Sequence, residues 1–206
     1  MRRSMMHTTL LFGKRTLKRG VPQHRSILVI DVSGFGRLDN RMQLNLRAVL
    51  GASVRAAFRA AGVAWFRLAV EDRGDGMIVL VPARVSKLDL LDPVLPRLTA
   101  AVRAYNASAG TTARIRLRVS LHAGEVLRDA AGWVGADVNL ACRLVNGEPV
   151  YQRLRADDDA DVVLVVSDLI YQGVVRHGYR EVDPGRFTPV RVLAKEVDVT
   201  AWLRTA

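Results

Sequence analysis

Residues 64–82 read AWFRLAVEDRGDGMIVLVP, and the fold turns on how this stretch is taken. Two apolar runs flank Gly74-Asp75-Gly76, and a short turn with a glycine at a left-handed position is the usual chemistry of an antiparallel hairpin. The spacing predicts two paired strands over 64–82. Asp75, between two glycines at the corner, is then either an ordinary turn residue or a carboxylate held out for chemistry.

Upstream, residues 25–36 read RSILVIDVSGFG, apolar from Ile27 to Ile30 and broken at Gly34 and Gly36, which predicts a buried strand and a tight turn. Leu46, Val49, Leu50, Val54, Ala57, Phe58 and Ala61 then recur at three- and four-residue intervals, a helix from Met42 closed by Gly62. Downstream, residues 86–106 predict a second helix, irregular at Pro93 and Pro96. Residues 113–126, ARIRLRVSLHAGEV, alternate like a half-buried strand, and residues 135–155 read as a third helix. After an acidic loop come the strand VVLVVS at 162–167, a short helix near 169–176, and a last pair of strands around 187–195 and 197–203. The order implies an α/β (α+β) fold with helices on one face of a largely antiparallel sheet.

Composition narrows the function classes. Half of the 206 residues are apolar, enough for one sizeable core. A single cysteine, Cys142, forms no internal disulfide, and no apolar run approaches the ~20 residues of a membrane span. A soluble, cytoplasmic protein is expected, with no membrane partner. Seven of the eleven net positive charges fall in residues 1–30, which carry no acid. The charge therefore marks a basic extension, residues 1–25, expected to be flexible, rather than a nucleic-acid surface; zinc spacing and basic-aromatic motifs are missing. Residues 26–206 form the folded domain.

Several side chains could carry chemistry. Asp31 ends the first strand, and if the hairpin pairs beside that strand, Asp31 and Asp75 converge. Two adjacent carboxylates repel unless a cation lies between them, and hard oxygen ligands suit magnesium. The turn after Asp31, in which the small residues Gly34 and Gly36 flank Phe35, lets backbone N–H groups face a phosphate. Asn139 and Arg143, four apart, lie on one helical face, where an amide can orient a sugar oxygen and a guanidinium can offset phosphoryl charge. His122 and Trp133 read as packed structural residues.

Four segments in order, VIDVSGFG, DRGDGMIVLV, VSLHAGEV and GADVNLACRL, resemble the catalytic domain of class III nucleotide cyclases, the adenylate and guanylate cyclases, over residues 26 to about 203, and look nearest to the compact actinobacterial type. The resemblance implies a ferredoxin-like nucleotide cyclase fold and a head-to-tail homodimer with active sites across its interface. One subunit would bring Asp31, Asp75 and the carbonyl of Val32 to two Mg²⁺ or Mn²⁺ ions. The other would bring Asn139 to the ribose and Arg143 to the α-phosphate of a nucleoside triphosphate, with Lys195 near the family's phosphate-binding lysine but without its usual glycines. The base-selecting positions carry Glu71, which suits guanine, and Gly132, which offers no side chain. The arm between HAGEV and GWVG is shortened to LRDAA. A purine cyclase is the first reading; a nucleotide-binding or regulatory module without turnover, or a pyrimidine cyclase, are the alternatives.

Overall fold

The computed structural model describes residues 20–110 and 113–205. Most of the basic extension, residues 1–19, lies outside the described residues. Eight strands form the sheet: β1 (Gln23–Val32), β2 (Ala69–Asp72), β3 (Gly76–Pro82), β4 (Leu117–Arg128), β5 (Trp133–Val134), β6 (Val162–Ser167), β7 (Thr188–Ala194) and β8 (Val197–Thr205). Their order is β2-β3-β1-β4-β6-β8-β7, with β5 beside the end of β4; the β4–β6 pair is parallel and the others antiparallel. The helices are α1 (Asn40–Ala60), α2 (Lys87–Asp89), α3 (Leu95–Ser108), α4 (Ala136–Val145), α5 (Glu148–Ala156) and α6 (Asp168–Gly173).

The hairpin, α1, and the order of strands and helices are as the sequence predicts, and the mixed sheet is mostly antiparallel. Four readings are corrected. Helices cover both faces of the sheet, not one. Leu28, Ile30, Val79, Val81, Val119 and Leu121 pack against α1, α3 and α6, whereas Ile27, Val29, Ile78 and Leu80 alternate to the other face and pack against α4. Val163, Val165 and Leu203 extend that second face under α5. Consequently β4 is buried on both sides, not half-buried, because its polar residues Arg118, Ser120 and His122 lie under α4 and α5 rather than in water.

The helix read over 135–155 is two helices broken at Asn146 and Gly147, where Pro149 falls in the first turn of α5 and cannot continue the α4 hydrogen-bond ladder. Trp65–Arg67 is a 3-10 turn, so β2 is shorter than the apolar run that suggested it. The second helix is interrupted as its prolines imply, with a π-helical turn over Leu90–Val94.

Candidate active site

The carboxylate corner is built by register. β1 lies between β3 and β4, so Asp31 faces Gly76 on one side and Arg118 on the other. Beyond that pair the Val32 N–H donates to the Asp75 carbonyl at 2.9 Å, and the Arg73 N–H donates to the Gly76 carbonyl at 2.9 Å, closing the hairpin turn around Gly74 at φ 87°. Gly76 permits the approach: a Cβ there would stand 2.1 Å from the Ile30 carbonyl oxygen. Glycine at 76 thus lets the turn carrying Asp75 lie against the end of β1.

Asp31 is half-buried and Asp75 exposed. The Arg118 guanidinium pairs with Asp31, and is itself buried and stacked 3.7 Å from the centre of the Tyr151 ring of α5. Burial pushes the Asp31 carboxyl above its ordinary value; the charge and hydrogen bond of Arg118 pull it back, and the neighbouring charge of Asp75 pushes it up again. Nε and Nη1 of Arg118 are buried with no hydrogen-bond partner among the described residues. Arg118 is the residue that sequence reading missed, since alternation placed it on a solvated face.

The second half of the site belongs to α4. Asn139 is exposed and lines a cavity of about 360 Å³ together with Glu71, Arg73, Gly132 and Cys142. Burial pushes the Cys142 thiol up, partly offset by Arg73. Glu71 Oε1 accepts from the Trp133 N–H at 2.9 Å, and a Cβ at position 132 would stand 2.8 Å from that same oxygen. Glu71 therefore occupies the space that a side chain at 132 would take, which explains the glycine. Arg143 Nε donates to Glu196 Oε1 at 3.2 Å, and Lys195, at φ 53°, precedes Glu196 in the β7–β8 turn. The two cations predicted for phosphate are thus brought to one end of α4. Asp31, Asp75 and Arg118 do not line the Asn139 cavity.

What fixes α4 is a buried chain. His122 Nδ1 lies 2.8 Å from Ser167 Oγ, His122 Nε2 lies 3.0 Å from Asp137 Oδ1, and Asp137 Oδ2 accepts from the Glu125 N–H at 2.7 Å. Gly124 makes room, because a Cβ there would fall 2.1 Å from the Asp137 carboxylate. His122 is accordingly packed. Trp133 is half-buried, with Arg25 and Arg128 5.2 and 5.7 Å from its ring centre.

The turn after Asp31 differs from its reading. Gly34 is left-handed at φ 75°, and Phe35–Arg37 forms a 3-10 turn in which the Arg37 and Leu38 N–H groups are already bonded. The N-terminus of α1 is capped by Asp39, whose Oδ1 accepts from the Met42 N–H at 2.8 Å. Any phosphate contact at Gly34, Phe35 and Gly36 therefore comes from the turn itself and not from the helix end.

Asp31, Asp75 and the Val32 carbonyl offer hard oxygens that suit Mg²⁺ or Mn²⁺. No group of three or more metal-ligating side chains occurs among the described residues. Such a sparse set fits an ion whose remaining ligands are water and substrate phosphate, the common arrangement for Mg²⁺.

This fold is that of a class III nucleotide cyclase-like domain. The chain is similar to a solved adenylate/guanylate cyclase/hydrolase from Silicibacter pomeroyi, at TM-score 0.66 and 18% identity over 91% of this chain and 99% of that one. It is similar to the guanylyl cyclase Cya2, at TM-score 0.64 and 18% identity over 91% and 95%. It is also similar to the guanylate cyclase domain of RhGC from Catenaria anguillulae in complex with GTP, at 0.58 and 19% over 89% and 97%. No family model matches the sequence, and no curated protein matches it. Among the described residues no helix is long and apolar enough to cross a membrane.

Proposed function

We propose that this chain is a class III-type nucleotide cyclase. It converts a purine nucleoside triphosphate, with GTP preferred over ATP, to the 3′,5′-cyclic nucleotide and pyrophosphate, as a head-to-tail homodimer. The observation that carries this reading is the meeting of Asp31 and Asp75 at the end of β1, through an approach that only Gly76 allows.

Asp31, Asp75 and the Val32 carbonyl would hold two Mg²⁺ or Mn²⁺ ions, whose chemistry is Lewis-acid activation of the ribose 3′-hydroxyl and neutralisation of phosphate charge. The chain's own side chains supply the rest. Asn139 hydrogen-bonds the ribose and aims its 3′-oxygen at the α-phosphorus. A new P–O bond forms there as the bond to the β-phosphate oxygen breaks, the 3′-hydroxyl proton leaves to solvent, and pyrophosphate departs. Arg143, with Lys195 beside it, offsets charge on the α-phosphate, while the buried Arg118 guanidinium holds the Asp31 carboxylate in place. The Asn139 cavity does not include Asp31 or Asp75, which favours a site completed by a second subunit.

Glu71 is held by one oxygen against the Trp133 N–H and can accept the N1 and N2 donors of guanine; the Watson–Crick edge of adenine offers one donor and one acceptor, a poorer match. The test is to incubate purified protein with Mn²⁺ and each of the four ribonucleoside triphosphates. Cyclic product from GTP above ATP, and none from CTP or UTP, is expected. No cyclic product from any of the four would overturn the proposal.

A further inference from the structure

On β8, Ala201 and Leu203 point into the core under α5, so Trp202 and Arg204 point to the opposite face of the sheet, the face of α3. There Arg204 lines a cavity of about 390 Å³ with Thr99 and Arg103 of α3, and with Arg186 and Glu181 of the segment before β7. Two of these groups are deeply buried and unsatisfied. Arg204 is only 7% exposed and its Nε has no hydrogen-bond partner; Thr99 is 6% exposed and its Oγ1 likewise has none, among the described residues. The Arg204 guanidinium is steadied 5.3 Å from the centre of the buried Phe187 ring.

The charges around this cavity do not cancel. Arg103 reaches Asp161 at 3.5 Å, whereas Arg186 and Arg204 have no carboxylate within ion-pairing distance among the described residues, and Glu181 on the rim pairs with none of the three arginines. Burial holds the Arg204 guanidinium below its ordinary value, and the facing charge of Arg186 lowers it further. A buried cation facing a second cation is costly unless an anion lies between them. Two guanidinium forks and a hydroxyl donor form the arrangement that receives the several oxygens of a phosphate group, whereas a carboxylate has too few oxygens to meet all three.

We propose that this cavity is a second ligand site, on the face opposite the candidate active site, that binds the phosphate group of a small soluble phosphate ester through Arg204, Arg186 and Thr99. Because the Arg204 guanidinium sits at the buried end of the cavity, the phosphate itself must enter it. The site is independent of the cyclase reading, since none of its residues belongs to the carboxylate corner or to α4.

Isothermal titration of the full-length protein with inorganic phosphate, in chelator and without nucleotide, tests the site. Saturable binding is expected, weakened about tenfold or more by Arg186→Ala and by Thr99→Val, two changes that leave the core packed, and lost in Arg204→Met. Arg59→Ala, exposed on α1 and outside the lining of this cavity, should bind phosphate as the parent does. Acetate in place of phosphate should bind more weakly. Absence of saturable phosphate binding, equal affinity in Arg186→Ala and Thr99→Val, or tighter binding of acetate would each overturn the proposal. None of these readouts depends on cyclic nucleotide formation.

Discussion

The two faces of β4 are built on different physics. On one, Val119, Leu121 and Ala123 alternate into the large apolar core shared with α1, α3 and α6. On the other, Arg118, Ser120 and His122 are as deeply buried, yet each is matched to a particular partner: Asp31, the Ala141 carbonyl, and Asp137 with Ser167. Apolar burial is non-directional and holds the sheet to its helices. Buried hydrogen bonds contribute little net stability but tolerate no displacement. The polar face therefore sets where α4 and the Asp31 corner stand, and the apolar face sets whether the domain stands at all.

Substitutions can break this contrast in order of size. Asp75→Ala, on the polar side and exposed, should reduce cyclase turnover by about a thousandfold or more with little change in melting temperature, read by cyclic nucleotide formation and thermal denaturation together. Leu121→Ala should do the reverse: about 2–5 kcal/mol of stability lost to a cavity in denaturant unfolding, with turnover per folded molecule unchanged. Gly124→Ala lies between the two, because its Cβ would collide with the Asp137 carboxylate and displace the start of α4. It should cost about 1–3 kcal/mol and about ten- to a hundredfold in kcat, with less effect on KM. If Gly124→Ala changes stability alone, the polar face is merely structural.

The smallest effect is a titration. In metal-free protein Asp31 should titrate above its ordinary value of 3.8, as read by carboxyl carbon NMR. A carboxyl raised in the folded state contributes stability that is present below its unfolded value and is lost as pH rises through the raised one. Arg118→Met removes the charge that pulls Asp31 down, so the shift should grow and that loss should deepen. An unchanged or lower value in the variant would separate Arg118 from the corner.

The same contrast explains what the sequence disclosed. Periodicity reports apolar faces, so β1, β3, β6, α1 and the 64–82 hairpin were legible, and so was the order in which Asp31, Asp75, Asn139 and Arg143 occur. Arg118 and Ser120 were not legible as buried residues, although His122 was: alternation marks a polar position as solvated, and only the second helical layer, α4 and α5, shows otherwise. The break at Asn146 and Gly147 had a signal, a glycine two residues before Pro149, which the apolar stripe running through both helices concealed. Gly132 looked like a missing specificity residue until the Glu71 carboxylate was seen to fill its space.

The central claim is a catalytic site that joins the Asp31 and Asp75 corner of one subunit to the α4 of another. Mixing equal amounts of Asp75→Ala and Arg143→Ala proteins, each inactive alone, tests it most directly. Random pairing places half the chains in mixed dimers with one intact site of two, so about one quarter of the parent activity should return. Continued inactivity of the mixture, with mixed dimers demonstrated and the parent active, would contradict a site shared between subunits.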